Sequence, residues 1–115
     1  MQHISKAQAV KFANSSTCTG LEYAFGDKDI NGALGVVTGR YPESGWVVNE
    51  VCKELVYVIS GAGSLHNRTE DQVLAPGDCA LIPSGEEYYF EGQELTVLMP
   101  CSPAWYPEQH KEIAD

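Results

Sequence analysis

The side chains with the widest chemical scope in this sequence are four cysteines and three histidines. The cysteines (Cys18, Cys52, Cys79 and Cys101) are far apart and form no C-x-x-C pair, whereas a zinc ribbon brings its ligands in close pairs. We therefore expect reduced thiols that act as small hydrophobic side chains.

The histidines are equally scattered. His3 and His110 lie near the two ends of the chain, and His66 lies in the segment SLHNR. We expect His66 on the surface or in a turn, with an inward position as the alternative. The sequence has no G-x-S-x-G turn, no phosphate loop and no Cys–His spacing that indicates a nucleophile.

The overall charge restricts the partners. Sixteen acidic residues against seven basic ones give a formal net charge of -9, which repels phosphate backbones and anionic membranes. The N-terminal stretch MQHISKAQAVKFANSS resembles no secretory signal, and no apolar run approaches the roughly 20 residues that cross a bilayer. We expect a cytoplasmic protein that binds neither nucleic acid nor membrane.

Short β-type runs separated by turn residues make up most of the chain. With 115 residues, 43% of them hydrophobic, we expect a single domain over residues 1–115. Such spacing is typical of a β-sandwich or barrel. Segment 4–12 is either one or two helical turns or a first strand, and segment 107–113 is predicted as a terminal helical turn. The runs are LEYAF (21–25), ALGVVTGRY (33–41), WVVNEV (46–51), ELVYVIS (54–60), QVLA (72–75), CALIP (79–83), EYYF (87–90) and ELTVLMP (94–100).

Two motifs resemble the signature of the cupin family. The stretch GDCALIPSGEEYYFEG carries Gly77, Pro83 and Gly85 at the spacing of G-x5-P-x-G-x2-H-x3-N. Glycine permits the positive φ angle of a tight turn, and proline is tolerated at a strand end. The stretch ELVYVISG places Glu54 and Gly61 as at the end of the other motif, G-x5-H-x-H-x3,4-E-x6-G.

The resemblance covers about residues 33–107 and implies an all-β fold. That fold is a cupin jelly-roll β-barrel of two antiparallel sheets, here with short helical turns at the termini. It also implies a homodimer paired through outer strands, because an open sheet edge needs cover.

The residues that bind metal in this family are the ones that differ. Metal-binding cupins direct three histidines and a glutamate into the barrel, and imidazole and carboxylate suit transition metals. In one register the motif positions hold Val47, Asn49, Glu54 and Tyr88 here; in the other, Val48 and Glu50 replace the first two. We expect no catalytic transition metal. The alternative is a divalent ion with Asn49, Glu50, Glu54 and His66 as candidate ligands.

The same face gives the candidate ligand-binding residues, namely Trp46, Asn49, Glu54, Tyr88 and Phe90. A carboxylate in a partly apolar cavity has a raised pKa, so Glu54 with Tyr88 is a candidate catalytic pair. The alternative for both is a structural role. Trp105 and Tyr106 are expected to close the barrel end or a subunit contact.

Three functions remain open from the sequence. The first is a metal-independent cupin that binds a small polar molecule. The second is a metal-independent isomerase, epimerase or lyase that uses Glu54 and Tyr88. The third is a cupin with an atypical metal site. Fold alone does not choose between them.

Overall fold

The computed structural model describes all 115 residues, and nearly all of its regular structure is β-strand. The only helix is a 3-10 turn at Pro107–Gln109. No helix is long and apolar enough to cross a membrane. The ten strands are β1 (Val10–Ser15), β2 (Cys18–Tyr23), β3 (Asn31–Val37), β4 (Arg40–Tyr41), β5 (Trp46–Asn49), β6 (Lys53–Asn67), β7 (Asp71–Leu74), β8 (Cys79–Ile82), β9 (Glu87–Ser102) and β10 (His110–Ile113).

Two long strands, β6 and β9, form the axis of the fold. They pair antiparallel from Lys53↔Ser102 to Asn67↔Tyr88. The other edge of β9 pairs in turn with β5, β4 and β3, and the other edge of β6 pairs with β8 and β7. Strands β1 and β2 extend the sheet beyond β3, and β10 extends it beyond β5.

Both long strands bend near their middles. The β6–β9 register shifts between Val58 and Ala62, where Gly61 has a φ of 85°. A Cβ at Gly61 would lie 2.1 Å from the carbonyl oxygen of Glu94, so no other residue fits there. The stretches GAG (61–63) and EGQ (91–93) directly follow the predicted runs ELVYVIS and EYYF, and the expectation that turns end the strands there is wrong. They are bends within continuous strands, where β-bulges and glycines curve the sheet.

The bends fold the hydrogen-bonded sheet into two facing halves. One half holds β1, β2, β3 and β8 with the adjoining parts of β6 and β9; the other holds β4, β5, β7 and β10 with the remaining parts. This is the jelly-roll barrel expected from the motifs. Residues that point inward from both halves form one apolar cluster, which includes Val37, Val47, Val56, Leu95 and Val97. Each such side chain contributes about 1.5–3 kcal/mol when it is buried.

The second motif forms the turns and strand expected of it. Gly77 and Gly85 have φ angles of 91° and 83°, and Pro83 directly follows the last residue of β8. The predictions for the termini are corrected. Strand β1 begins at Val10 after a turn, and only Pro107–Gln109 is helical, because His110–Ile113 pairs with β5 as strand β10.

Candidate functional site

A cavity of about 90 Å³ lies between the two halves of the barrel. Asn14, which is exposed, and the half-buried Phe12 and Glu22 line its outer end. Most of its wall is apolar, and the groups that can do chemistry are Tyr41, Glu54, Tyr88, Cys101 and His110. No lysine or arginine lines it.

Glu54 supplies the buried carboxyl group of the cavity. It is 6% exposed and lies in β6 between Cys101 of β9 and Ile82 of β8. The thiol of Cys101 donates a hydrogen bond to its Oε2, with 2.9 Å between sulfur and oxygen. The other oxygen, Oε1, has no protein partner and is not sealed from the cavity. Burial raises the pKa of Glu54 to about 7, with the thiol hydrogen bond opposing the rise. The group can therefore give or take a proton near neutral pH.

Tyr88 lies in β9 opposite Val47 and is 3% exposed. Its ring packs edge-on against Phe90, with centroids 5.8 Å apart. The Asn49 amide nitrogen lies 3.4 Å from its hydroxyl oxygen and donates to it. Burial, followed by the nearby Glu54 carboxylate, raises the pKa of Tyr88 well above its ordinary value, so the phenol stays protonated. It is a neutral hydrogen-bond donor beside a carboxyl group.

A second polar group enters the cavity from the C-terminal segment. The hydroxyl of Tyr41 lies 2.8 Å from Nε2 of His110, and Nδ1 of His110 lies 2.8 Å from Oδ1 of Asn49. The same Asn49 oxygen accepts from Trp105 Nε1 at 3.2 Å and Gln109 Nε2 at 3.0 Å. Burial lowers the pKa of His110, so the ring is neutral. Asn49 therefore anchors the segment that carries His110.

The structure separates the predicted site residues into two sets. Glu54, Tyr88 and Phe90 line the cavity, and the buried Asn49 lies directly behind them as the amide that touches Tyr88 and His110. Trp46, Glu50 and His66 do not line it.

Each residue of the second set has a physical reason to lie elsewhere. The Trp46 ring packs edge-on against Tyr89 and lies under the guanidinium of Arg68, at a distance of 4.2 Å. Glu50 is exposed just beyond the end of β5, so the register that would turn it inward is not the one adopted. His66 is buried, so the expected surface position is wrong. Its Nδ1 lies 2.5 Å from Asp71 and its ring stacks on Tyr89.

The donors around the cavity do not fit the transition metal that the family can carry. No three His, Cys, Asp or Glu side chains are grouped as ligands anywhere in the chain. The motif positions hold Val47, which cannot ligate, and Asn49, whose oxygen already accepts three hydrogen bonds. Glu54 is the one carboxylate among them, and one carboxylate does not hold such an ion tightly.

Sequence reasoning missed Tyr41, Cys101 and His110. Cys101 could have been predicted from the sequence, because it continues the inward alternation of Leu95, Val97 and Met99 along β9. Tyr41 follows a turn glycine in a two-residue strand, and His110 lies in a segment predicted as helical, so neither position carried a periodic signal. Trp105 was expected at the barrel end and does line the cavity, whereas Tyr106 is exposed.

Comparisons with known proteins agree with this architecture. The cupin domain profile matches residues 38–99. The nucleoside dehydratase Pac13 superposes with a TM-score of 0.86 at 15% identity, covering 99% of this chain and 92% of that one. A Streptomyces PAC13 variant with uridine gives 0.87 at 16% identity, covering 99% and 91%. KdgF from a Halomonas species gives 0.71 at 17% identity, covering 89% and 94%. No curated protein sequence matches the chain. Likeness at these identities shows a shared fold.

Proposed function

This chain belongs to the cupin family, and we propose that it binds a small, uncharged or cationic polar molecule inside its barrel without a transition metal. The observation that carries the proposal is the Oε1 atom of Glu54, which has no protein partner, is accessible from the cavity and belongs to a residue that is only 6% exposed. Buried polar groups are normally paired, so a ligand or water completes this one. Cavities with an apolar wall and a few convergent polar groups are the usual form of small-molecule sites.

The charges around the cavity favour a ligand without negative charge. Glu22 and Glu54 line it, His110 is neutral, and no basic side chain is present to pair with an anion. An anionic ligand would give up its hydration without gaining an opposite charge. Hydroxyl or amine groups, by contrast, would pair with the Glu54 and Tyr88 oxygens. The similar PAC13 structure contains uridine, an uncharged nucleoside, and supports this class as a first choice of probe.

The binding proposal is tested by thermal shift and calorimetric titration. The probes are uridine, D-ribose, a short diamine and free amino acids, with uridine 5′-monophosphate as the charged counterpart of uridine. We expect a neutral or cationic probe to stabilise the protein and the monophosphate to bind at least about tenfold more weakly, a difference of about 1.4 kcal/mol. If no neutral or cationic probe gives a thermal shift or a heat of binding, the proposal is contradicted.

Matched variants locate the site. Glu54→Gln is expected to weaken binding, since the amide no longer offers two acceptor oxygens. Glu50→Gln makes the same chemical change on an exposed residue four positions earlier and is expected to leave binding unchanged. Equal effects of the two substitutions would place the ligand outside the cavity.

Elemental analysis of protein purified without added metal tests the second half of the proposal. We expect a substoichiometric transition-metal content. Stoichiometric iron, nickel or zinc would overturn it and favour the atypical metal site instead.

A second candidate function is a metal-independent enzyme that transfers protons, an isomerase, epimerase or lyase. It is favoured by Glu54, whose pKa of about 7 matches the working range of a general acid or base. Glu54→Gln and Tyr88→Phe are then expected to abolish turnover with circular dichroism unchanged. Tyr57→Phe, at a 44% exposed position, is the control. Full turnover in both cavity variants would refute the catalytic pair.

A further inference from the structure

The orientation of the Asn49 side chain is fixed by Trp105. An indole Nε1–H can only donate a hydrogen bond, and it lies 3.2 Å from one atom of the Asn49 amide. That atom must therefore be the carbonyl oxygen. The Gln109 amide nitrogen, 3.0 Å from the same atom, agrees with this assignment.

The orientation of Asn49 decides which nitrogen of His110 carries the proton. Nδ1 of His110 faces the Asn49 oxygen at 2.8 Å, and an oxygen that only accepts requires a proton on Nδ1. In a neutral imidazole the other nitrogen, Nε2, then carries a lone pair. Nε2 lies 2.8 Å from the Tyr41 hydroxyl, so Tyr41 donates its proton to His110.

This hydrogen bond uses the Tyr41 proton and leaves the Tyr41 oxygen as an acceptor, with the Asn14 side chain of the cavity lining within hydrogen-bonding reach of it. Tyr41 and His110 both line the cavity that holds Glu54. The Tyr41 ring lies nearly parallel to the imidazole, with an interplanar angle of 5°. Burial raises the pKa of Tyr41, so the hydroxyl does not ionise alone. The Tyr41 hydroxyl can pass its proton to His110 only while its oxygen takes up a proton from a bound molecule.

We propose that Tyr41 and His110 form a second proton-transfer pair of this cavity, with Asn49 as the positioning residue, and that the pair acts with Glu54 on small, uncharged hydroxycarbonyl compounds. The inference rests on the proposed binding site. It adds a base to a cavity in which protonated Glu54 serves as the acid. Tyr41 is the group that touches the substrate, and His110 stores the proton.

The Tyr41 oxygen takes a proton from the carbon next to the substrate carbonyl while the Tyr41 proton moves to Nε2 of His110. The electron pair of the broken C–H bond forms the C=C bond of an enediol. The carbonyl oxygen takes a proton from the Glu54 carboxyl group. The products are a neutral enediol, an imidazolium held by the Asn49 oxygen and the Glu54 carboxylate, so the net charge is unchanged. Return of the proton to the same carbon restores the substrate, and its return to the other carbon, while the neighbouring hydroxyl gives its proton to the Glu54 carboxylate, completes an isomerisation. Deuterium enters the substrate when the protons on Tyr41 and His110 are replaced from heavy water while the enediol is bound.

The class of substrate follows from the same groups. The carbon acid must carry a carbonyl and a neighbouring hydroxyl, because the pair needs an acidic C–H bond and Glu54 needs an oxygen to protonate. The lack of a cationic side chain in the cavity lining disfavours a phosphate group. Unphosphorylated trioses are therefore suitable probes.

The activity test follows deuterium incorporation by proton NMR. Dihydroxyacetone and D-glyceraldehyde are incubated with the protein in heavy water near neutral pH. We expect the native protein to accelerate exchange of the carbon-bound protons and Tyr41→Phe to reduce the acceleration by about 10²-fold or more. Tyr106→Phe, at a 43% exposed position, is expected to keep the native rate. Native exchange in Tyr41→Phe would refute the pair and leave the binding site in place.

A second measurement does not depend on turnover. Nitrogen-15 NMR of the His110 ring is expected to show a proton on Nδ1 and a free Nε2 at about pH 7. A proton on Nε2, alone or with Nδ1, would overturn the inference. If a triose binds but does not exchange, proton transfer by this pair is refuted while binding stands. If no neutral probe binds, the proposed function fails, and the inference fails with it.

Discussion

The thiol of Cys101 donates a hydrogen bond to the Oε2 atom of Glu54 across the β6–β9 pairing. This bond favours the charged form of the carboxyl group and opposes the effect of burial on its pKa. We expect Cys101→Ala to raise the pKa of Glu54 above about 7. Carbon-13 NMR of the Glu54 carboxyl carbon through a pH titration measures it. Cys79→Ala, which removes an exposed thiol, is the control, and an unchanged pKa in Cys101→Ala would contradict the role of the thiol.

Glu54 makes the stability of the fold depend on pH. Its pKa is about 7 when folded and 4.5 ordinarily, so the folded protein keeps a proton that the unfolded chain releases between these values. The contribution of the Glu54 proton to the free energy of unfolding is complete below the ordinary pKa of 4.5 and is lost as the pH rises through the folded-state pKa of about 7. The whole loss is about 3 kcal/mol. We expect Glu54→Gln, which does not titrate, to gain about this much relative to the native protein between about pH 4 and about pH 8. Urea unfolding of both proteins at the two pH values measures it. A constant difference would show that Glu54 ionises freely in the fold.

The two faces of the barrel sheet should respond differently to the same substitution. Val58 is 0% exposed in the apolar cluster, and Val73 is 76% exposed on β7. We expect Val58→Ala to lower the free energy of unfolding by about 2 kcal/mol, from lost burial and a residual cavity. Val73→Ala should change it by less than about 0.5 kcal/mol. Denaturant unfolding checks both values, and similar losses would place Val73 in a buried contact.

The outer surface of the sheet carries the features that a dimer would use. Leu55 pairs with Leu81 and Tyr57 pairs with Leu98, and all four side chains are at least 40% exposed. Contiguous exposed apolar side chains mark interaction surfaces. The homodimer expected from the family resemblance stays a prediction. Gel filtration of the native protein at micromolar concentration should give a species of twice 12.5 kDa, the mass of one chain. The Leu55→Glu variant should elute at the mass of a single chain. A native protein that elutes at 12.5 kDa would contradict it.

The fold could be predicted because its signals are local. Gly77, Pro83 and Gly85 each have a backbone requirement that depends on their own turn, and the spacing between them reports the length of β8. The continuity of β6 and β9 could not be read in this way. Gly61 lies in the stretch GAG, whose composition is that of a turn. Only the close approach of Gly61 to Glu94 across the strand pair shows that the strand bends there and continues.

The site was predicted only where strand alternation reaches it. Glu54, Tyr88 and Phe90 lie at alternating inward positions of β6 and β9, so pattern and position agree. His110 reaches the cavity because β10 pairs with β5. In that pairing His110 lies opposite Asn49, which is 61 residues earlier in the sequence. That pairing is a property of the assembled barrel. The predicted contributions of Trp46 and Glu50 relied on strand ends, where one residue decides the direction of a side chain.

The placement of His110 on β10 divides the cavity residues between two parts of the chain. Tyr41, Glu54 and Tyr88 fall inside the stretch that matches the cupin domain, whereas Cys101, Trp105 and His110 fall beyond it. The part of the chain that matches the cupin domain thus supplies three of these cavity residues, and the segment that follows it supplies the other three. A substitution confined to residues 101–110 would therefore change the reactive groups of the cavity and leave the matched part of the barrel unaltered.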